Sequence, residues 1–205
     1  HRTVHGVVEQ LADTRGDDIF LYYQESDYSY RTIDASANRV ACGLQQLGVA
    51  RDDKVAIMMS NRPEFLFSWF GISKLGAVEV PVNTAHRGDL LSYMLNQADC
   101  IALIIEADFI EQLRTVLPGL EKLKHIIVLE SENEEVNATL CDDERTYQTL
   151  VENNGDYQAA EVLYSDPAAI MFTSGTTGPS KGAVVPQHYQ LTMAETIIGM
   201  ADYDE

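Results

Sequence analysis

Four short apolar runs constrain the fold of this chain more than anything else in it: "KVAIMMS" (54–60), "AVEVPV" (77–82), "CIALIIE" (100–106) and "HIIVLE" (125–130). Each has the length of one strand. Each is nearly continuous rather than alternating, as strands buried on both faces are. Segments of helical period separate them. In 63–75, Pro63 suits a first turn, and Phe65, Leu66, Trp69, Phe70 and Ile72 cover most of the circumference. Segments 87–97 and 107–116 also read as helices. Apolar strands alternating with amphipathic helices predict an α/β fold, with a mostly parallel sheet covered by helices on both faces. Ligands of such sheets sit in loops beyond the carboxyl ends of the strands. "NRPE" (61–64) stands at one such end. It could touch a ligand; the plainer reading is that Asn61 caps the helix and Arg62 pairs with a nearby acid.

Upstream, residues 4–14 predict a short helix, and "IFLYY" (19–23) with "DYSY" (27–30) a strand pair around a polar turn. Thr32 is expected to cap a helix in which Ile33, Ala37, Val40, Leu44 and Leu47 share a face and which Gly48 ends. Phe65, Phe67, Trp69 and Phe70 read as packing of a buried helix, with an acyl tunnel as the alternative. "ESENEEVNATLCDDER" (130–145) carries seven acids against one base and reads as a solvated loop. Its spacing does not match an EF-hand loop. A short helix, 146–153, follows.

The most distinctive stretch is "FTSGTTGPSKG" (172–182), set between the apolar runs "AAIM" and "AVV". Gly175, Gly178 and Gly182 allow backbone angles with positive φ and let amides approach a ligand. Consecutive amide N–H groups in such a turn form a concave anion site. Thr173, Ser174, Thr176 and Thr177 add hydroxyl donors, and Lys181 adds a mobile point charge. Together they suit a polyphosphate. A tight hairpin needs two to five residues, and this loop uses more. It is not a Walker A loop, because Lys181 lies between Ser180 and Gly182 and a strand-like run follows.

The net charge of -18 argues against a nucleic-acid surface and against docking on anionic membranes. Cys42, Cys100 and Cys141 lie far apart, which suits a reducing compartment better than a disulfide scaffold or a zinc site. His5, His86 and His125 have no partners at metal-ligand spacing, so no metal site is expected. No apolar run has the length of a membrane span, and the first residues are not a signal peptide. The chain is therefore expected to be cytoplasmic, with a trimmed or processed start, since it lacks an initiator Met.

"FTSGTTGPSKG" resembles the phosphate loop of the adenylate-forming (AMP-binding) enzymes: acyl-CoA synthetases, carboxylate–CoA ligases, luciferases and adenylation domains. "SDPAAIMFTSGTTG" resembles the usual entry to that loop. "YSYRTIDASANRVACGLQQLGVARDDKVAIMMSNRPEFLFSWFGISKLGAVEVPVNT" is similar to the N-terminal part of acyl-CoA ligases, most of all the branch of crotonobetaine/carnitine–CoA ligase and medium-chain acyl-CoA synthetases. The resemblance implies an ATP-dependent, Mg2+-assisted ligase that makes an acyl-adenylate from a carboxylic acid and then a thioester of coenzyme A. It implies that Thr173, Ser174, Gly175, Thr176, Thr177, Gly178 and Lys181 hold the nucleotide phosphates. Many members place a His six residues after the loop lysine, near the acyl pocket. Here Gln187 stands there and His188 follows, so both are candidate acyl-pocket residues.

The same resemblance places residues 1–163 in an N-terminal α/β subdomain and 164–205 in a phosphate-loop segment with the start of the next helix. Adenosine contacts, a magnesium-binding glutamate and a small C-terminal domain are implied beyond Glu205, so the 205 residues are expected to be inactive alone. Two other readings stay open: an enzyme that loads a carrier-protein thiol, and a non-catalytic nucleotide-binding or interaction module.

Overall fold

The computed structural model describes residues 3–131, 133–137, 145–173 and 180–201. Helix α1 (Val4–Thr14) leads to a two-stranded antiparallel hairpin, β1 (Ile19–Tyr23) and β2 (Ser26–Ser29). Then follow α2 (Tyr30–Gln46), β3 (Lys54–Met58), α3 (Pro63–Lys74), β4 (Val78–Pro81), α4 (Gly88–Gln97) and β5 (Cys100–Glu106). A 3-10 turn precedes α5 (Ile110–Val116); β6 (His125–Leu129), α6 (Glu134–Asn137), β7 (Arg145–Thr146) and α7 (Tyr147–Val151) come next. The chain closes with β8 (Pro167–Thr173), β9 (Lys181–Pro186) and α8 (Gln187–Ala201).

Seven strands form one sheet in the order β7-β6-β5-β3-β4-β8-β9. All neighbours are parallel except β8 and β9, which form an antiparallel edge hairpin. The expected α/β architecture is therefore present, and the apolar runs form its central strands. Their residues divide between two faces by the two-residue period of a strand. Val55 and Ile57 of β3 and Ala102 and Ile104 of β5 point to the α2, α3 and α7 side. Ala56, Met58, Leu103 and Ile105 point to the α4 and α5 side. A third cluster seats α1 and the β1–β2 hairpin outside α2 and α3, through Val4, Val8, Ile33, Ala37 and Phe70.

Two expected caps fall elsewhere. Helix α2 begins two residues before Thr32, because the Ser29 side chain accepts from the Thr32 N–H at 3.2 Å and takes the capping role. Helix α3 has Pro63 in its first turn as expected, but its N-cap residue is Arg62, with no side-chain cap bond, rather than Asn61. Gly48 does end α2, with φ at 86°. Within the acidic run, Glu134–Asn137 form the short α6, and its described acids, Glu130, Glu134 and Glu135, are exposed.

Close approach of α2 to α7 depends on Gly43. A Cβ there would lie 2.1 Å from the Leu150 carbonyl oxygen, a backbone atom that cannot turn aside. Gly43→Ala is expected to destabilise the chain by about 1–3 kcal/mol through overpacking, seen as a lower midpoint in thermal unfolding.

Candidate functional site

The anticipated phosphate loop is carried by the β8–β9 hairpin. Its strands pair from Pro167 with Pro186 at the base to Thr173 with Lys181 at the mouth. Thr173 and Lys181 thus stand opposite each other, both exposed, where the chain enters and leaves the loop. Ser174, Gly175, Thr176, Thr177 and Gly178 lie outside the described residues. Gly182, the last glycine of the motif, has a packing reason. A Cβ there would come within 2.8 Å of the Ile170 side chain on the facing strand.

Because β8 runs parallel to β4, the loop leaves the sheet at the edge where β3 and β4 also end. At that edge the two following helices part. The residues of α3 pack on one face of the sheet and those of α4 on the other. Neighbouring parallel strands whose connections diverge in this way leave a crevice, the usual ligand site of an open α/β sheet. A cleft of about 490 Å³ opens there, lined by Ser60, Asn61 and Phe65 after β3 and by Val82, Asn83 and Thr84 after β4. The sequence points to Asn61 but not to Asn83 or Thr84. Their only signal was a polar pair directly after an apolar strand.

Arg62 stiffens the cleft wall. Its Nε donates to Glu64 at 2.9 Å and its Nη1 to Glu106 at 3.0 Å. The other Glu106 oxygen accepts from the Ser60 N–H at 2.8 Å, tying the end of β5 to the turn after β3. Burial works against the charged guanidinium, but hydrogen bonds and attraction from Glu64 and Glu106 outweigh it and raise the Arg62 pKa. Arg62 is thus a structural pair, as the plainer reading of "NRPE" expected. The turn after β4 is held from α5. With its amide turned to suit the surrounding groups, Gln112 donates to the Thr84 and His86 carbonyls at 3.2 and 2.9 Å and accepts from Arg87 at 3.2 Å. Burial lowers the pKa of His86 in this turn.

Gln187 and His188 stand at the other end of the hairpin, one strand length from the loop. The Gln187 side chain is wholly enclosed. Its Oε1 accepts from the Val4 N–H at 2.9 Å, and its Nε2 lies 3.3 Å from the Ser73 hydroxyl. Its amide therefore faces α1 and α3, not an open pocket. His188 lies in the first turn of α8, with its backbone N–H and its Nδ1 both at the Tyr164 carbonyl, 3.0 and 2.9 Å away. Of the aromatic cluster, Phe67, Trp69 and Phe70 pack in the core, while Phe65 also lines the cleft.

Among the described residues, no helix is long and apolar enough to cross a membrane. A family model described as AMP-binding enzyme matches residues 8–205. Crotonobetaine/carnitine–CoA ligase of Salmonella paratyphi A is 31% identical over 198 residues, covering 91% of this chain and 36% of that protein. The protein of the same name from Escherichia coli O17:K52:H18 is 32% identical with the same coverage. Among solved structures, the anthranilate CoA ligase AuaEII in complex with anthranoyl-AMP superposes with a TM-score of 0.86 at 24% identity, over 97% of this chain and 37% of its own, a likeness of fold. The Mycobacterium tuberculosis fatty acyl CoA synthetase superposes with a TM-score of 0.69 at 25% identity, over 91% of this chain and 35% of its own. The chain thus spans little more than a third of the length of the curated relatives it matches. The parallel sheet, the hairpin that carries the "FTSGTTGPSKG" motif and a family match over nearly every residue lead to one conclusion: this chain belongs to the AMP-binding enzyme family.

Proposed function

We propose that this chain is the phosphate-binding N-terminal part of an ATP-dependent carboxylate–CoA ligase. The observation that carries the reading is the mouth of the hairpin, Thr173 opposite Lys181, on the strand beside the β3–β4 cleft. The names of its relatives, CoA ligases, support it. In the first step a carboxylate oxygen attacks the α-phosphorus of ATP. The bond from that phosphorus to the bridging oxygen of the β-phosphate breaks, and pyrophosphate leaves with the electron pair. In the second step the sulfur of coenzyme A attacks the acyl carbon, its proton passes to solvent, and AMP leaves.

Thr173, Ser174, Gly175, Thr176, Thr177, Gly178 and Lys181 are assigned to the β- and γ-phosphates and the departing pyrophosphate. Transfers at phosphorus depend on positioning and on charge stabilisation more than on covalent help from the protein. Lys181 suits this as a point charge on a flexible stem. Magnesium enters with the substrate, as Mg-ATP; among the described residues, no group of three His, Cys, Asp or Glu could hold a metal ion. The adenosine contacts and the small C-terminal domain that the resemblance implies lie outside these residues, so the 205 residues alone are proposed to be inactive.

The test is ATP–pyrophosphate exchange, run with a panel of aliphatic and aromatic acids. The protein used carries this chain together with the further length its relatives have. Exchange is expected only when an acid is supplied. Lys181→Met is expected to raise the KM for ATP about tenfold or more, the loss of one charge-assisted contact, and to leave the KM for the acid unchanged. Exchange without acid, or none with any acid, would overturn the reading.

A further inference from the structure

A ligand loop at the tip of a hairpin is only as well placed as the base of that hairpin. β8 joins the sheet through one residue pair, Ala169 with Glu79, and β9 is the sheet edge. At the base, the Gln187 N–H bonds to the Asp166 carbonyl at 2.9 Å. Lateral support comes from the Gln187 side chain, which reaches α1 at Val4 and α3 at Ser73. Ser73, 3% exposed, is also bonded to His5, with 2.9 Å between its Oγ and Nδ1.

The proton inventory allows two directions for these bonds, set by the protonation of His5 Nδ1. A serine hydroxyl donates one proton and can accept from others. If Ser73 donates to His5 Nδ1, its oxygen is left to accept from Gln187 Nε2, and all three groups are satisfied. This needs a neutral His5 with its proton on Nε2. Burial does favour the neutral imidazole, lowering its pKa against the attraction of Glu9 on its own helix and Asp34 on α2, while Lys74 on α3 lowers it further. The α8 side presents the neutral Gln187 amide.

We infer that His5, Ser73 and Gln187 form a relay of positioning residues that sets the tilt of the loop-bearing hairpin, and that protonation of His5 releases it. A protonated Nδ1 must donate to Ser73. The hydroxyl then turns its proton toward Gln187 Oε1, 3.4 Å away. Protonated His5 and Gln187 Nε2 then compete as donors for the one Ser73 oxygen, at a position with no access to water, and the Gln187 bond weakens. The lever is long: six residues of β9 span roughly 20 Å, so a tilt of about 3° at the base moves the loop by about 1 Å. A misplacement of that size costs on the order of 100-fold in rate.

The catalytic half of this inference rests on the ligase reading; the structural half does not. In the protein used for the exchange assay, wild-type exchange is expected to hold at neutral pH and to fall as pH drops below about 6.5, since burial lowers the His5 pKa from the ordinary histidine value. His5→Asn, whose amide oxygen can accept from Ser73 but cannot be protonated, is expected to flatten that limb. Ser73→Ala and Gln187→Leu are expected to lower kcat/KM at least tenfold at every pH. Independently of any activity, hydrogen exchange on the 205-residue chain reports the hairpin. In both Ser73→Ala and Gln187→Leu, protection factors of the β8 and β9 amides are expected to fall at least tenfold while those of β3 and β5 hold. Should Gln187→Leu fail to fold, Ser73→Ala, the smaller change, decides. Hairpin protection equal to wild type, or the same acid limb in wild type and His5→Asn, would overturn the relay. Failure of every acid in the exchange assay would sink the ligase reading and leave the hydrogen-exchange result standing.

Discussion

Replacing Lys74 by Met is expected to lower stability by about 3 kcal/mol, a fall of roughly 6–12 °C in midpoint for a chain of this size. Lys74 is 1% exposed, near the end of a helix otherwise rich in apolar residues. Its ammonium is paired with Glu9 of α1 and with Asp34 of α2, the latter at 2.8 Å, and lies 5.9 Å from the centre of the Tyr157 ring. Burial opposes its charge, but the hydrogen bonds it donates to Asp34 and Glu9 outweigh that and leave its pKa raised. Removing one partner of a buried pair strands the other, and that accounts for most of the expected cost. The Asp34 side chain is 19% exposed and suffers; Glu9, at 41%, can turn to water, which holds the cost to the low end of the range for buried pairs. Adding Asp34→Asn to Lys74→Met is expected to recover much of the loss. If the double variant were as unstable as the single one, packing of the lysine stem, not charge, would be holding the three helices together.

The parallel sheet was legible because burial on both faces leaves a strand no polar alternation. "CIALIIE" could be little else, and β5 spans the same residues. Gly48 and Pro63 were legible for a local reason, since their backbone chemistry acts within one turn. The start of α2 was not. Ser29 and Thr32 are both able to cap, and the choice depends on β2, which runs to Ser29 and packs Tyr28 on Phe67 of α3. Strand order was hidden too. β5 lies beside β3, not beside β4 that precedes it, and nothing within either run says so. The two residues of β7 are a strand only by virtue of pairing with β6.

The loop motif stands out by composition, since glycines, hydroxyls and a lysine gathered in one turn are groups that suit a phosphate ligand. The cleft beside it did not. Asn83 and Thr84 are ordinary residues that matter because the connections after β3 and β4 part at that edge, a property of topology. Gln187 was the hardest to place. Its offset from Lys181 suggested a ligand, but its partner is the Val4 backbone, 183 residues away along the chain. No local pattern encodes a bond of that span.

Glu79→Gln is expected to remove a decline of stability with pH that the wild-type chain shows between about 4.5 and 8. Glu79 is 3% exposed and is flanked in register by Val55 of β3 and Ala169 of β8. Burial alone pushes its carboxyl from an ordinary 4.5 up to about 8. Between these values the folded chain holds a proton that the unfolded chain has lost. Stability from this group is therefore complete below the unfolded value, falls as pH rises, and is gone above the folded one. At pH 7 the accumulated loss is on the order of 3 kcal/mol. Gln cannot ionise, so it escapes that loss, though its second N–H adds an unmet donor and trims the gain to about 2 kcal/mol. The measurement is urea unfolding of both proteins at matched pH values. Their difference cancels every other titrating group and should rise from a deficit of about 1 kcal/mol for the variant at low pH, through zero, to a plateau in its favour above pH 8. Parallel curves would mean that Glu79 ionises freely in the folded chain, and hence that water or a cation reaches the seam between the sheet and the loop-bearing hairpin.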